Sequence, residues 1–270
     1  MNSNIFAIGS LEIKWYSILL LLSFFIGIIF VYQKRKIIKL NDSNLFDMLF
    51  YLIIFAVLGA RIYYVLFNFD YYLNNPLDII KIWEGGLAIH GGVIAGFVYL
   101  FFYCKRKKIK LILLTDIIVF PLSLGQAIGR WGNFFNQEAY GPITTYHHLK
   151  ELHIPNFIID GMHINGVYYQ PTFLYESIFC LLIFIVLLIV SKLKNNKNGI
   201  CTAIYLILYG FERFFMEILR QDSLMILNIK VAQLVSVLMI ILGIVILFIV
   251  SDKVEKKQLN SNTQNEFKNM

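Results

Sequence analysis

Only three cysteines occur in the 270 residues, and Cys104, Cys180 and Cys201 all lie in or at the ends of hydrophobic runs, without metal-ligand spacing. That pattern argues against a thiolate metal centre and leaves them as packing residues. Any thiol chemistry then has to use a thiol brought by a substrate. No linker rich in Pro, Gly or Ser breaks the chain, and no internal repeat is visible. Paired aspartates within the hydrophobic runs, a His-Glu-x-x-His motif and a Ser–His pair in those runs are all missing, which argues against an intramembrane protease. A cleavable leader is not expected either. The basic cluster Lys34-Arg35-Lys36 follows the first apolar run instead of preceding it, and no small-residue cleavage site comes after.

What the chain has in abundance is apolar sequence. Hydrophobic residues make up 58% of it and charged residues 15%, too apolar a balance for an ordinary soluble domain. They gather in runs of about twenty, the length a helix needs to cross the hydrocarbon core of a bilayer. Seven such runs are read as spans: 15–33, 45–67, 87–104, 111–130, 172–191, 200–218 and 231–250. The expected fold is an all-α polytopic membrane protein with seven transmembrane helices and a small extracytoplasmic subdomain between the fourth and fifth. Residues 1–250 form the membrane domain, with 131–171 as the extracytoplasmic insert. Residues 251–270 form a polar cytoplasmic tail, a frayed helix end followed by disorder.

The net charge of +7 could suggest nucleic acid, but its placement argues against that. Segments 34–45, 105–110, 192–199 and 251–270 carry 16 of the 24 Lys and Arg residues, while the alternating segments carry only Lys14, Lys81, Lys150, Arg220 and Lys230. By the positive-inside rule the N-terminus is outside and the C-terminus cytoplasmic. Residues 68–86 read as a turn-rich excursion, and Asn165-Gly166 as the turn of a hairpin. Asp47 and Asp116, at inner ends of spans, are expected to pair with cytoplasmic lysines. Gly92-x-x-x-Gly96 and Gly125-x-x-x-Gly129 are expected to pack helices closely.

In this orientation the unusual polar residues fall at one level, near the outer leaflet. Tyr16 begins the first span, Arg61 lies in the outer part of the second and His90 begins the third. Arg130 and Asn133 end the fourth, Tyr175 and Glu176 begin the fifth, and Arg213 and Glu217 approach the outer end of the sixth. Ionisable groups at such depth are costly and usually bind an ion, a headgroup or a reacting substrate. Tyr209, Arg213, Glu217 and Arg220 share one helical face by spacing. Arg213 and Glu217 read either as a structural ion pair or as a cation for an anionic substrate oriented by its carboxylate. Arg130 reads as a headgroup ligand or as a snorkelling helix end, and His90 as a proton-transfer group or as a packing residue. Glu138 reads equally as site residue and as loop brace. The histidines at 147, 148, 153 and 163 are not expected to hold a metal.

The run Gly129-Arg130-Trp131-Gly132-Asn133-Phe134-Phe135-Asn136-Gln137-Glu138-Ala139-Tyr140-Gly141 closely resembles the signature of the prolipoprotein diacylglyceryl transferase family. Trp15-Tyr16, Gly59-Ala60-Arg61 with Tyr64, Gly85-Gly86-Leu87 through His90-Gly91-Gly92, and Pro171-Thr172 with Leu174-Tyr175-Glu176 fit the same pattern. So does Tyr209-Gly210 with Arg213, Glu217 and Arg220. The resemblance covers roughly residues 10–250. It implies a bacterial inner-membrane enzyme of lipoprotein biosynthesis that moves the diacylglyceryl group of phosphatidylglycerol to the lipobox cysteine of a prolipoprotein signal peptide, leaving a thioether and glycerol phosphate. No cofactor or metal is implied. By the resemblance, Arg130 holds the phosphatidylglycerol headgroup with Asn133 and Glu138 in support. His90 and Arg213 match essential positions, and Tyr16, Asn136, Gly141, Tyr209 and Glu217 match further functional ones. Lys14 and Gln170 stand where relatives often carry histidine, which bears on fine geometry. The competing reading from another class is a lipid transporter or flippase binding anionic headgroups. Against it stand the clustering at one leaflet and the lack of an inverted repeat.

Overall fold

In a computed structural model the described residues are 4–8, 11–193, 197–220, 225–226 and 229–268. The chain is mostly helical, because a segment without water around it must satisfy its own backbone N–H and C=O groups. Each run read as a span is the body of one helix: α1 (Trp15–Lys34), α2 (Asp42–Phe67), α4 (Ile89–Lys107), α5 (Leu111–Asn136), α8 (Thr172–Ser191), α9 (Ile200–Leu219) and α10 (Val231–Lys268). Among the described residues five of these, α1, α2, α5, α8 and α10, are long and apolar enough to cross a membrane. Large apolar side chains stand exposed along them, such as Phe25, Phe50, Leu182 and Phe248, as they do on helices that face lipid. The protein is a multi-pass membrane protein.

Two boundaries differ from the sequence reading. The fourth run does not stop at Arg130: α5 continues to Asn136 and carries most of the signature. Trp131 and Phe134 extend it by packing edge-on at 6.1 Å, and Phe134 stacks on Phe173 at 4.6 Å. The polar tail continues α10 in helical backbone to Lys268, where a frayed end followed by disorder is expected from the sequence. Its many Lys, Gln and Glu residues are good helix formers.

The chain divides into two compact units. One comprises Phe30–Leu114. Here Asn41 caps α2, its side chain accepting from the Asn44 N–H at 2.8 Å. Helices α2 and α4 pack tightly, and a Cβ placed on Gly59 or Gly91 would collide with the other's backbone. Gly92 and Gly96 also sit against α2, at Ala56 and Leu52, as their spacing suggests. Between the two helices lie α3 (Phe69–Asn74) and two 3-10 turns, Pro76–Ile80 and Ile82–Glu84.

The other unit comprises Met1–Ile29 and Thr115–Met270. Strands β1 (Asn4–Ile8) and β2 (Leu11–Lys14) form a hairpin ahead of α1. Serine hydroxyls stitch the helices together: Ser123 donates to the Cys180 carbonyl at 2.7 Å and Ser177 to that of Ala127 at 2.9 Å, both between α5 and α8. Ser23 on α1 lies against Gly125, whereas Gly129 has nothing within 4 Å of an added Cβ, so only the first glycine of that pair packs a helix. Asp116 does not pair with lysine. Its carboxylate accepts from the backbone N–H groups of Gly199 and Thr202 and from the Thr202 hydroxyl, capping α9 from a neighbouring helix.

Between α5 and α8 the chain forms β3 (Ile143–Thr144), α6 (Tyr146–Glu151), α7 (Asn156–Gly161), β4 (His163–Ile164) and β5 (Val167–Tyr169). The strands make one antiparallel sheet in the order β3-β5-β4. The hairpin turns at Asn165 (φ 51°) and Gly166 (φ 82°), the left-handed pair a two-residue turn demands. Leu149, Ile154, Ile158, Ile159 and Met162 close over Phe134 and Phe173 as a small apolar core. Short strands β6 (Met225–Ile226) and β7 (Ile229–Lys230) pair ahead of α10.

Candidate functional site

The strongest concentration of buried charge joins α5, α8 and α9. Glu176, one turn into α8, is 1% exposed and bridges two arginines. Its Oε2 lies 3.0 Å from Arg130 Nε, and its Oε1 accepts from Arg213 Nη1 at 2.9 Å. Arg213 also meets Glu217 Oε2 at 2.6 Å through Nη2. The (i, i+4) spacing of Arg213 and Glu217 thus makes the expected ion pair, and the same arginine serves a second carboxylate. Charges buried this far are tolerated only when paired, since desolvation otherwise outweighs the attraction.

The pairing is uneven. Arg213 has two carboxylates, while Arg130 has Glu176 alone, met through Nε. Neither Nη group of Arg130 makes a hydrogen bond to another of the described residues. An arginine held at its Nε presents its remaining N–H groups to a ligand, and such groups suit a phosphate. Next to it Tyr209 stacks flat on Tyr205 (5.5 Å, 5°), whose hydroxyl donates to Gln126 Oε1 at 3.0 Å. Lys230 donates to the carbonyls of Glu217 (2.6 Å) and Arg220 (3.2 Å), so a cation closes the C-terminus of α9.

The end of α5 forms a second cluster. Asn133 and Asn136 donate to Glu138 Oε1 at 2.9 and 3.3 Å, so Glu138 braces the amides that end the helix. Gln137 and Ala139 take positive φ there. Thr172 donates to the Ala139 carbonyl at 2.6 Å, and the Gly141 N–H donates to the Gln170 carbonyl at 3.0 Å. Gly141 leaves no room for a side chain against Thr172 and Gln170. Tyr16 lies with its ring over Gly132, where a Cβ would strike it, and Trp15 stacks on Phe135 at 5.0 Å. Tyr16, Asn133, Asn136, Glu138 and Gly141 are therefore gathered around the end of α5, while Arg130, Tyr209, Arg213 and Glu217 are joined through Glu176.

In the unit Phe30–Leu114, His90 stands exposed in the first turn of α4 with its ring 6.2 Å from Tyr63. The segment before it is held by Arg61, 7% exposed. Nε donates to the Ile79 carbonyl (2.9 Å), Nη1 to Gly85 (2.7 Å) and Gly86 (2.8 Å), and Nη2 to Asp78 (2.6 Å) and Lys81 (3.4 Å). All five guanidinium N–H groups are thus used on backbone. Gly85 (φ 96°) and Gly86 (φ 72°) supply the left-handed backbone this needs. Arg61, Tyr64, Tyr72, Asp78 and Lys81 line a cavity of about 390 Å³. Beside it the Lys81 ammonium and the Tyr71 hydroxyl bond Asp78 and hold its carboxyl below the usual range, while Asp78 pushes the Tyr71 phenol up.

Two residues carry more than the sequence suggests. Glu176 appears there among the polar residues at the outer level and within a motif, with no role of its own, yet it is the hub. Glu212 draws no attention, yet it is 6% exposed with neither carboxylate oxygen hydrogen-bonded among the described residues. Neither has a periodicity that reveals its role. Cys104, Cys180 and Cys201 are all buried. Among the described residues no three His, Cys, Asp or Glu side chains gather to hold a metal ion.

Comparison with known proteins finds relatives over nearly the whole chain. The family model described as prolipoprotein diacylglyceryl transferase matches residues 3–249. A Staphylococcus haemolyticus protein named phosphatidylglycerol–prolipoprotein diacylglyceryl transferase is 47% identical over 248 residues, covering 92% of this chain and 87% of its own. A Clostridium perfringens protein of that name, numbered 1, is 45% identical over 259 residues, covering 96% and 98%. One from Staphylococcus aureus is 46% identical over 242 residues, covering 88% and 85%. The chain belongs to the prolipoprotein diacylglyceryl transferase family.

Proposed function

We propose that this enzyme transfers the diacylglyceryl group of phosphatidylglycerol to the lipobox cysteine of a prolipoprotein signal peptide, the first step of bacterial lipoprotein maturation. The observation that carries the reading is the shared carboxylate of Glu176, which pairs with both Arg130 and Arg213 and meets Arg130 at its Nε, while the Nη groups of Arg130 make no hydrogen bond among the described residues. The substrate thiolate attacks the glyceryl carbon that bears the phosphate ester. A C–S bond forms, the C–O bond breaks, and the electron pair leaves with glycerol phosphate. Arg130 and Arg213 stabilise the charge growing on the departing phosphate, where fixed donors act most strongly. Glu217 and Glu176 hold the arginines, and Tyr209 walls the site. Asn133, Asn136, Glu138 and Gly141 shape the headgroup end, with Tyr16 over Gly132. The thiol proton goes to His90, an assignment resting on imidazole chemistry near neutral pH. No cofactor takes part.

The same reading places seven spans in the bacterial inner membrane, with the N-terminus outside and the C-terminus cytoplasmic. Residues 131–171 then form an extracytoplasmic subdomain, and the tail from Ser251 lies in the cytoplasm. Helices α4 and α9 complete the seven. A lipid transporter or flippase is not favoured by the family to which the chain belongs.

The test is mass spectrometry of a lipobox peptide with one cysteine, incubated with purified protein and phosphatidylglycerol, beside a serine version. A diacylglyceryl mass gain on the cysteine peptide alone, with glycerol phosphate released, is the expected result. A folded, lipid-supplied preparation that gives no gain refutes the reaction.

A further inference from the structure

Glu212 is the one charged side chain of the α5–α8–α9 cluster that this mechanism does not use. It precedes Arg213 on α9, yet Arg213 pairs with Glu176 and Glu217, and Arg130 pairs with Glu176. Both oxygens of Glu212 are buried without a hydrogen bond among the described residues. The charges of Glu176, Arg130 and Arg213 act on it, and it acts in turn on Tyr205 and Tyr209. It is therefore close to the arginines without belonging to their ion pairs. Burying a carboxyl group with no partner opposes folding, and a native structure keeps such a group where something else supplies the donor. The space beside Gly129, one residue before Arg130, is open.

The missing partner must donate a hydrogen bond, and it must reach Glu212 while an anion lies on Arg130. A bare phosphate does not meet both demands, because its ionised oxygens accept hydrogen bonds and donate none. A phosphodiester whose headgroup carries hydroxyls does: its oxyanion takes the open N–H groups of Arg130, and a hydroxyl a few atoms away donates to the carboxylate.

We propose that Glu212 accepts a hydrogen bond from a headgroup hydroxyl of the donor lipid and sets the enzyme's preference for a glycerol headgroup. This rests on the transferase reading above, and it deepens that reading by naming the group that recognises the alcohol end of the lipid.

The experiment measures transfer to the cysteine peptide from three lipids of identical acyl chains: phosphatidylglycerol, phosphatidylpropanol (the same phosphodiester without headgroup hydroxyls) and phosphatidylethanolamine. The proteins are wild type, Glu212→Gln and Glu212→Met, the first variant keeping shape and one acceptor should the second fail to fold. Wild type is expected to prefer phosphatidylglycerol over phosphatidylpropanol in kcat/KM by at least about tenfold, the order for one hydrogen bond to a charged group. In Glu212→Met that preference should fall to near unity, with Glu212→Gln intermediate and the KM for peptide unchanged. Equal losses with phosphatidylglycerol and phosphatidylpropanol, or a change confined to the peptide KM, overturns the assignment. So does a preference that survives in both variants while the wild type is active, and that outcome leaves the transferase reading standing. A wild type inert with every lipid removes the reaction itself and the inference with it.

Discussion

Replacing Glu176 by Gln should disable the enzyme more than replacing Glu217 by Gln, although both carboxylates pair with an arginine. The difference lies in what each arginine keeps. In Glu217→Gln, Arg213 retains the Glu176 carboxylate at 2.9 Å. In Glu176→Gln, Arg213 retains Glu217 at 2.6 Å, but Arg130 loses the one carboxylate it pairs with among the described residues. Removing one partner of a buried ion pair costs about 3–5 kcal/mol. The Arg130 side chain is 16% exposed, so water returns part of that, and the neutral amide can still accept one bond. A loss of about 2–3 kcal/mol in positioning Arg130 is the result, which is roughly 30- to 150-fold in kcat/KM at 1.36 kcal/mol per tenfold. For Glu217→Gln the same reasoning leaves about 1 kcal/mol, near fivefold. Initial rates of peptide lipidation at subsaturating phosphatidylglycerol, with Tm recorded for each variant, separate positioning from unfolding. A Glu217→Gln enzyme as impaired as Glu176→Gln, or a Glu176→Gln enzyme of normal rate, would refute the shared-carboxylate argument.

Other outcomes follow from the same geometry. Arg61→Lys cannot reproduce five carbonyl contacts, so stability should fall by about 3 kcal/mol; an unchanged Tm in detergent contradicts the strap role. Gly132→Ala should displace the Tyr16 ring at a cost of about 1–3 kcal/mol. In Gly129→Ala the new methyl meets nothing, and helix propensity should add up to about 1 kcal/mol. Thermal unfolding that ranks these two the other way rejects the packing. The lowered Asp78 carboxyl has a definite sign: its stabilisation is present above the ordinary carboxylate range and disappears as pH falls through the folded-state value. The Tm difference between wild type and Asp78→Asn should therefore hold from neutral pH to mildly acid conditions and shrink below them; a difference that grows on acidification opposes it.

The helices were legible because their signal is length and apolarity, and both survive in a single sequence. The hairpin at Asn165-Gly166 was legible for a similar reason, since that dipeptide suits the left-handed turn it forms. Arg130, Arg213 and Glu217 stood out as charges inside apolar runs. Glu176 stood among them without a role, because its importance lies in reaching two helices at once, and no spacing along α8 encodes that. Asp116 misled for the complementary reason: a carboxylate at a helix end beside lysine-rich segments suggests an ion pair, while its partners are the backbone groups at the start of α9. Arg61 shows the same limit, since its acceptors are backbone carbonyls seventeen to twenty-five residues away.

Helices α4 and α9 are the two of these seven helices that fall short of the apolar length of a span, and the proposed mechanism draws His90, Arg213 and Glu217 from them. The first turn of α4 holds His90 among glycines, and α9 holds Glu212, Arg213 and Glu217 within six residues. Each charge on α9 lowers its fitness for lipid, so the helix has to be covered. Gly210 comes against the Ser236 carbonyl of α10, and Gly243 of α10 against the Ala203 carbonyl of α9, each too close for a side chain. On its other side α8 supplies Glu176 to the arginine. The apolar helices α8 and α10 therefore shield the polar one, and small residues let them approach closely enough to do so. A bulky residue at Gly210 should accordingly impair the enzyme without touching any charged group, by moving α9 away from α10. Gly210→Leu is expected to lower both Tm and activity, whereas introducing the same residue at the exposed Phe211 next to it, Phe211→Leu, should leave Tm nearly unchanged.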